Sequence, residues 1–180
     1  MANKNAVIGG IISLVIGGTV FSVNSADIAR NFSLDTGMSQ QQAQEYIANI
    51  SKDDLVSFDV VGASLVTDGQ DIIASALEID CIKFEYTWET ESVTCEDSKS
   101  ELIALGWSEV RLGNAYKVLA TSSATSQDIA AVITYIDTVN KGLNTEVVRS
   151  TIDEQTLSEL KQTNSFNKAL LQSALDSKER

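Results

Sequence analysis

Apolar residues cluster first between Asn5 and Ala26, an uncharged stretch bounded by Lys4 and Asp27 and filled by Val7, Ile8, Ile11, Ile12, Leu14, Val15, Ile16, Val20, Phe21 and Val23. Read as a helix at about 1.5 Å of rise per residue, it would be roughly 33 Å long, enough to cross a hydrocarbon core of about 30 Å. At roughly −0.3 to −0.6 kcal/mol each, its large apolar residues favour insertion by about 3 to 6 kcal/mol before Gly, Ser, Thr and Asn take some back. The pattern predicts a membrane anchor over residues 1–26. Gly9, Ser13 and Gly17 stand four apart and would share one helix face, the small-residue spacing that lets two helices pack closely in lipid. A cleavable signal peptide competes, with Val23 and Ser25 as small residues before a cut after Ser25 or Ala26. The apolar run from Ala6 to Val23 exceeds the usual core of about 7 to 15 residues, which favours an uncleaved anchor.

Beyond it, Asp27 to Leu34 can continue as helix until Asp35-Thr36-Gly37 interrupts. Ser39 followed by Gln42 forms a capping box, and Ala43, Tyr46, Ile47 and Ile50 make a helical stripe over Gln40 to about Lys52. Residues 27–54 thus read as a helical neck, and residues 55–180 as a head domain.

The head reads as mixed. Leu55 to Thr67 is β-branched and roughly alternating, with Gly62 as a bulge and Asp68-Gly69 as a turn, while Asp71 to Leu77 fits a short helix or a buried strand. Ile79 to Trp88 alternates Ile82, Phe84, Tyr86 and Trp88 against Cys81, Lys83 and Glu85, a hairpin pattern if Thr87-Trp88-Glu89 turns. Ser98 with Glu101 caps a short helix ended by Gly106, and a second hairpin is predicted from Trp107 to Leu112 and Ala115 to Thr121 around Gly113-Asn114. Thr125 with Asp128 opens an amphipathic helix carrying Ile129, Val132, Ile133, Ile136 and Val139, ended by Gly142. After a strand or loop over Thr145 to Arg149, Thr151 with Glu154 caps a last helical region, split near Thr163-Asn164-Ser165. The expected fold class is α+β: a single N-terminal transmembrane helix, a helical neck, and one extracytoplasmic domain whose β-hairpins pack against C-terminal helices.

Composition narrows the chemistry. A net charge of −12 argues against nucleic acid as a partner, because that affinity comes from Lys and Arg neutralising phosphates. The absence of histidine removes the commonest general base and the Ser-His-Asp and Cys-His arrangements. No phosphate loop and no nucleophile elbow is present. Lys4 ahead of the apolar run, with no net positive charge after it, keeps the amino terminus cytoplasmic and places the head outside.

That orientation suits a disulfide between Cys81 and Cys95, which would stabilise by roughly 3 kcal/mol through loop closure. Their spacing matches neither a zinc knuckle nor a thioredoxin-like pair. Glu85, Glu89, Glu91, Glu96 and Asp97 gather nearby, more simply a solvated surface than a calcium or acid-base site. The sequence therefore offers no candidate catalytic, cofactor-binding or metal-ligating residue.

The function expected is that of a non-enzymatic, single-pass membrane-anchored structural or assembly subunit of a virion membrane, surface filament or envelope complex, with the membrane and further copies or membrane proteins as partners. The alternative is an exported, signal-cleaved binding protein whose aromatic residues Tyr86, Trp88 and Trp107 contact a partner, although strand alternation favours these rings as core. The layout resembles that of pilin-type subunits, but their short basic leader and the Glu at the fifth helix position are not found around Gly9-Gly10-Ile11, so the likeness is one of layout.

Overall fold

In a computed structural model that describes residues 11–16, 19–49, 58–82, 94–121 and 124–178, seven helices follow one short antiparallel β-hairpin. The hairpin replaces the expected transmembrane helix. β1 (Ile11–Ile16) pairs with β2 (Thr19–Asn24), Ile16 opposite Thr19 and Ile11 opposite Asn24. Both runs are rich in Val and Ile, which suit a strand, and in sequence Gly17-Gly18 stands between them, a dipeptide costly inside a helix. Ser13 lies in β1 opposite Ser22, while Gly9 and Gly17 fall outside the described residues, so the small-residue helix face is not formed.

No helix among the described residues is long and apolar enough to cross a membrane. The single-pass localisation, the anchored-subunit reading and the pilin-like layout thereby lose the element on which they rested. β2 instead joins the core: Phe21 and Val23 are buried, and Lys178 Nζ lies 5.1 Å from the Phe21 ring centroid. A cut after Ser25 or Ala26 would remove these buried side chains, which weighs against the cleaved-signal alternative as well.

α1 (Ser25–Thr36) begins at Asn24, whose side chain accepts from Ala26 N–H at 2.9 Å, and stops at Gly37, where φ of 72° needs a residue without Cβ. α2 (Gln40–Asn49) opens with the Ser39–Gln42 capping box. α1 lays Ile28, Ala29 and Phe32 against α7 (Glu154–Lys178), and Phe32 stacks on Tyr46 at 4.9 Å with Phe166 edge-on to both. α5 (Ser126–Gly142) starts at the Thr125–Asp128 capping box and buries Ile129, Val132, Ile136 and Val139. α6 (Glu146–Thr151) occupies the stretch read as strand or loop. Asp153, rather than Thr151, accepts from Thr156 N–H to cap α7, which runs unbroken through Thr163-Asn164-Ser165.

The largest departure from the α+β expectation is the head. α3 (Phe58–Glu78) covers the strand reading from residue 58 onward, its supposed turn Asp68-Gly69 and the ambiguous 71–77 stretch. α4 (Cys95–Thr121) covers the second predicted hairpin whole, passing through Gly106 and Gly113-Asn114 without a break. It is capped by Thr94, which accepts from Asp97 N–H, rather than by Ser98. Ile79 to Ile82, the start of the 79–88 strand reading, form an irregular turn after α3 rather than a strand, and residues 55–57 and 83–88, with the Thr87-Trp88-Glu89 turn, lie outside the described residues.

Candidate functional site

α3 and α4 form an antiparallel helical pair. Gly62, Gly69 and the fully buried Ala76 recur every seven residues along α3, and Gly106 and Gly113 do so along α4. A seven-residue repeat keeps one seam of a helix turned toward its partner. At this seam the two glycine pairs meet backbone to backbone. A Cβ placed on Gly62 would lie 2.6 Å from the Gly113 carbonyl oxygen, and one on Gly69 would lie 2.5 Å from that of Gly106. Val66 then seats against Gly113, Ile73 against Gly106 and Val110 against Gly69. At about 1.5 Å per residue, α3 is roughly 31 Å long. Among the described residues, α4 is the one element against which it packs extensively.

Both ends of the pair are fastened. At the loop end a disulfide joins Cys81 to Cys95, with Cα atoms 5.6 Å apart, and Lys99 Nζ donates to the Ile79 carbonyl at 3.1 Å. The cysteines thus close the loop end of a helical pair; most of the β-hairpin read between them lies outside the described residues. At the other end Phe58 stacks on Tyr116 with centroids 5.2 Å apart, and Val61 and Leu65 lean on the main core.

α4 presents three stripes. Leu105, Leu112, Tyr116 and Leu119 are buried in the core, where Leu105 also packs beside Gly142 of α5. Gly106, Val110, Gly113 and Lys117 face α3. Trp107, Arg111, Asn114 and Val118 form the third stripe and are exposed. Trp107 keeps 51% of its surface in solvent, so it is not the core ring that strand alternation implied. Leu77 at 60% and Ile82 at 86% add further apolar surface toward the loop end. Tyr86 and Trp88, with Glu85, Glu89 and Glu91, lie outside the described residues.

The buried stripe also contains Glu109, only 8% exposed. Its carboxyl has no hydrogen-bond or ion-pair partner among the described residues. Burial, followed by the like charge of Asp68 on α3, pushes its pKa up to about 7. Asp68 is itself steadied by the Ser64 hydroxyl, which donates at 3.1 Å. One heptad on, burial pushes the Tyr116 phenol well above its ordinary range. Asn167 stands close enough to offset part of that rise without completing a hydrogen bond, leaving Tyr116 Oη and Asn167 Oδ1 without partners. A buried Glu at a core position of α4 gave no signal while this stretch read as strand.

A cleft of about 520 Å³, open to solvent and lined mainly by polar residue types, lies between α1, α5 and α7. Its side chains largely satisfy one another. Lys168 donates to Asp35 at 2.7 Å and to Asp137 at 2.6 Å, Lys161 to Asn144 at 2.6 Å, and Asn164 to Asn140 at 2.9 Å. No group of three or more His, Cys, Asp or Glu side chains able to hold a metal occurs among the described residues. No protein-family model, characterised protein or solved structure matches this chain.

Proposed function

We propose that this chain is a non-enzymatic, exported binding protein that presents the α3–α4 pair as an arm to a protein partner. The observation that carries this reading is Trp107, half exposed on a helix pair held rigid at both ends. Tryptophan on a preorganised surface is a frequent anchor of binding energy, because little conformational entropy is lost when it is covered. The disulfide supports an oxidising compartment, since such bonds persist outside the reducing cytosol. The self-satisfied polar cleft offers no competing chemistry.

The test places a photo-crosslinking residue at Trp107, at Leu77 and, as a control, at the exposed Gln155 of α7 in the full chain, expressed in its native host. Adducts to one defined protein at the two arm positions and none at Gln155 are expected. Equal adducts at all three positions, or none on the arm, would overturn the reading.

A further inference from the structure

We infer that the outer side of the α3–α4 seam binds a cationic amphipathic helix from another protein. The inference rests on reading the arm as a binding surface and gives that surface its partner chemistry. Helical spacing sets Val66, Ile73 and Leu77 of α3 beside Ile103, Trp107 and Val110 of α4, on the side of the seam opposite Glu109 and Asp68. Because the glycines let Val66, Ile73 and Val110 sink into the seam, these side chains are half-buried, while Leu77 and Trp107 stand above them. The result is a shallow apolar furrow between two parallel ridges. From Val66 to Leu77 it runs about 16 Å, or three helical turns. A third helix laying apolar residues at i, i+3, i+4 and i+7 into such a furrow is a standard recognition geometry.

Charge selects the occupant. The described residues of the arm, 58–82 and 94–121, hold nine Asp and Glu against three Lys and Arg, a formal net charge of −6. Away from the Asp68 side, the exposed surface of α3 bears Asp59, Asp71 and Glu78 and no basic residue, and Arg111 is the one base of α4's exposed stripe. A second copy would bring the same acidic arm against itself, at an electrostatic cost. A helix flanked by Lys and Arg would complement the rim, with attraction that fades as salt screens it.

The test uses the full oxidised chain and three synthetic 18-residue peptides: a Leu/Lys helix with an amphipathic pattern, a scramble of the same composition, and a Leu/Glu helix of the first pattern. Calorimetric titration should show the Leu/Lys helix binding at least about tenfold tighter than either control. Trp107→Ala should weaken it by about tenfold. Asp71→Lys with Glu78→Lys, both at exposed positions, should weaken it too while improving the Leu/Glu helix. Equal binding by the scramble would overturn the inference, as would absence of binding or sedimentation showing a dimer dissolved by Trp107→Ala. Defined arm crosslinks in the host without Leu/Lys binding would remove the cationic helix and leave the binding-protein reading standing; absence of both would remove the two together.

Discussion

Gly69 and Gly106 meet so closely across the arm that neither position has room for a methyl group: a Cβ on either would lie within 2.5 to 2.6 Å of the other's carbonyl oxygen. In an exposed helix, Gly→Ala stabilises by about 1 kcal/mol. Here the added carbon meets backbone, which cannot swing aside as a long side chain could. Gly69→Ala or Gly106→Ala should therefore cost about 1 to 3 kcal/mol in denaturant unfolding, as overpacking does elsewhere. Stabilisation by either variant would show that the helices can part at no cost.

Glu109 makes stability depend on pH in the direction opposite to that of a salt-bridged acid. Its folded-state pKa, about 7, lies above the ordinary 4.5, so the folded chain holds this proton more tightly than the unfolded chain does. The contribution is fully present below pH 4.5, is lost progressively as pH rises to 7, and amounts to about 3 kcal/mol at 1.36 kcal/mol per unit. Glu109→Gln should erase it. Urea unfolding of the two proteins between pH 4.5 and 8 should give free energies that diverge with rising pH, the variant being the more stable at pH 8.

Loss of the Cys81–Cys95 bond frees a loop of sequence separation 14 in the unfolded chain. Cys81→Ser with Cys95→Ser should lower stability by about 3 kcal/mol. Native-state hydrogen exchange should place the loosening in the last turns of α3 and the first of α4, with α5 and α7 keeping their protection relative to global unfolding. Uniform loss across all helices would contradict a fastening confined to the loop end of the arm.

Lys168 links α1 to α5 by donating to both Asp35 and Asp137. Burial alone would pull its pKa down, but the hydrogen bonds to Asp137 and Asp35 outweigh that and raise it. Because all three side chains keep some solvent contact, Lys168→Met should cost about 1 kcal/mol, near the upper end for partly exposed pairs. On a chain of this size that is a fall of about 3 °C in Tm.

Two of the four predicted helix starts, those of α2 and α5, were legible in the sequence, while α4 and α7 are capped by Thr94 and Asp153. The Ser39–Gln42 and Thr125–Asp128 boxes encode their caps locally, and the stripe from Ile129 to Val139 is long enough to repeat its 3.6-residue period several times. The arm was misread because glycine has two meanings. Gly62 reads as a bulge, Gly69 and Gly113 as turns and Gly106 as a helix end, yet their seven-residue spacing is the available signal of two helices in backbone contact. Val60, Val61 and Val66 then lent α3 a β-branched look that tertiary packing overrode. At the amino terminus total apolar length points to a membrane helix, while the Val and Ile runs on either side of Gly17-Gly18 carry the hairpin pattern. Glu109 could not be found without first knowing which face of α4 is buried.

The two fastened ends of α3 also decide how the arm would respond to force. A partner pulling on Trp107 or Leu77 along the helix axes would load the arm in shear. The strain would divide between a covalent bond at Cys81–Cys95 and an aromatic stack at Phe58–Tyr116. Val66, Ile73 and Val110, seated in the glycine gaps, would resist sliding until one end gives. The stack would yield first, so under tension α3 should peel from its base while its tip stays bound, making the arm a hinge that opens from the body outward.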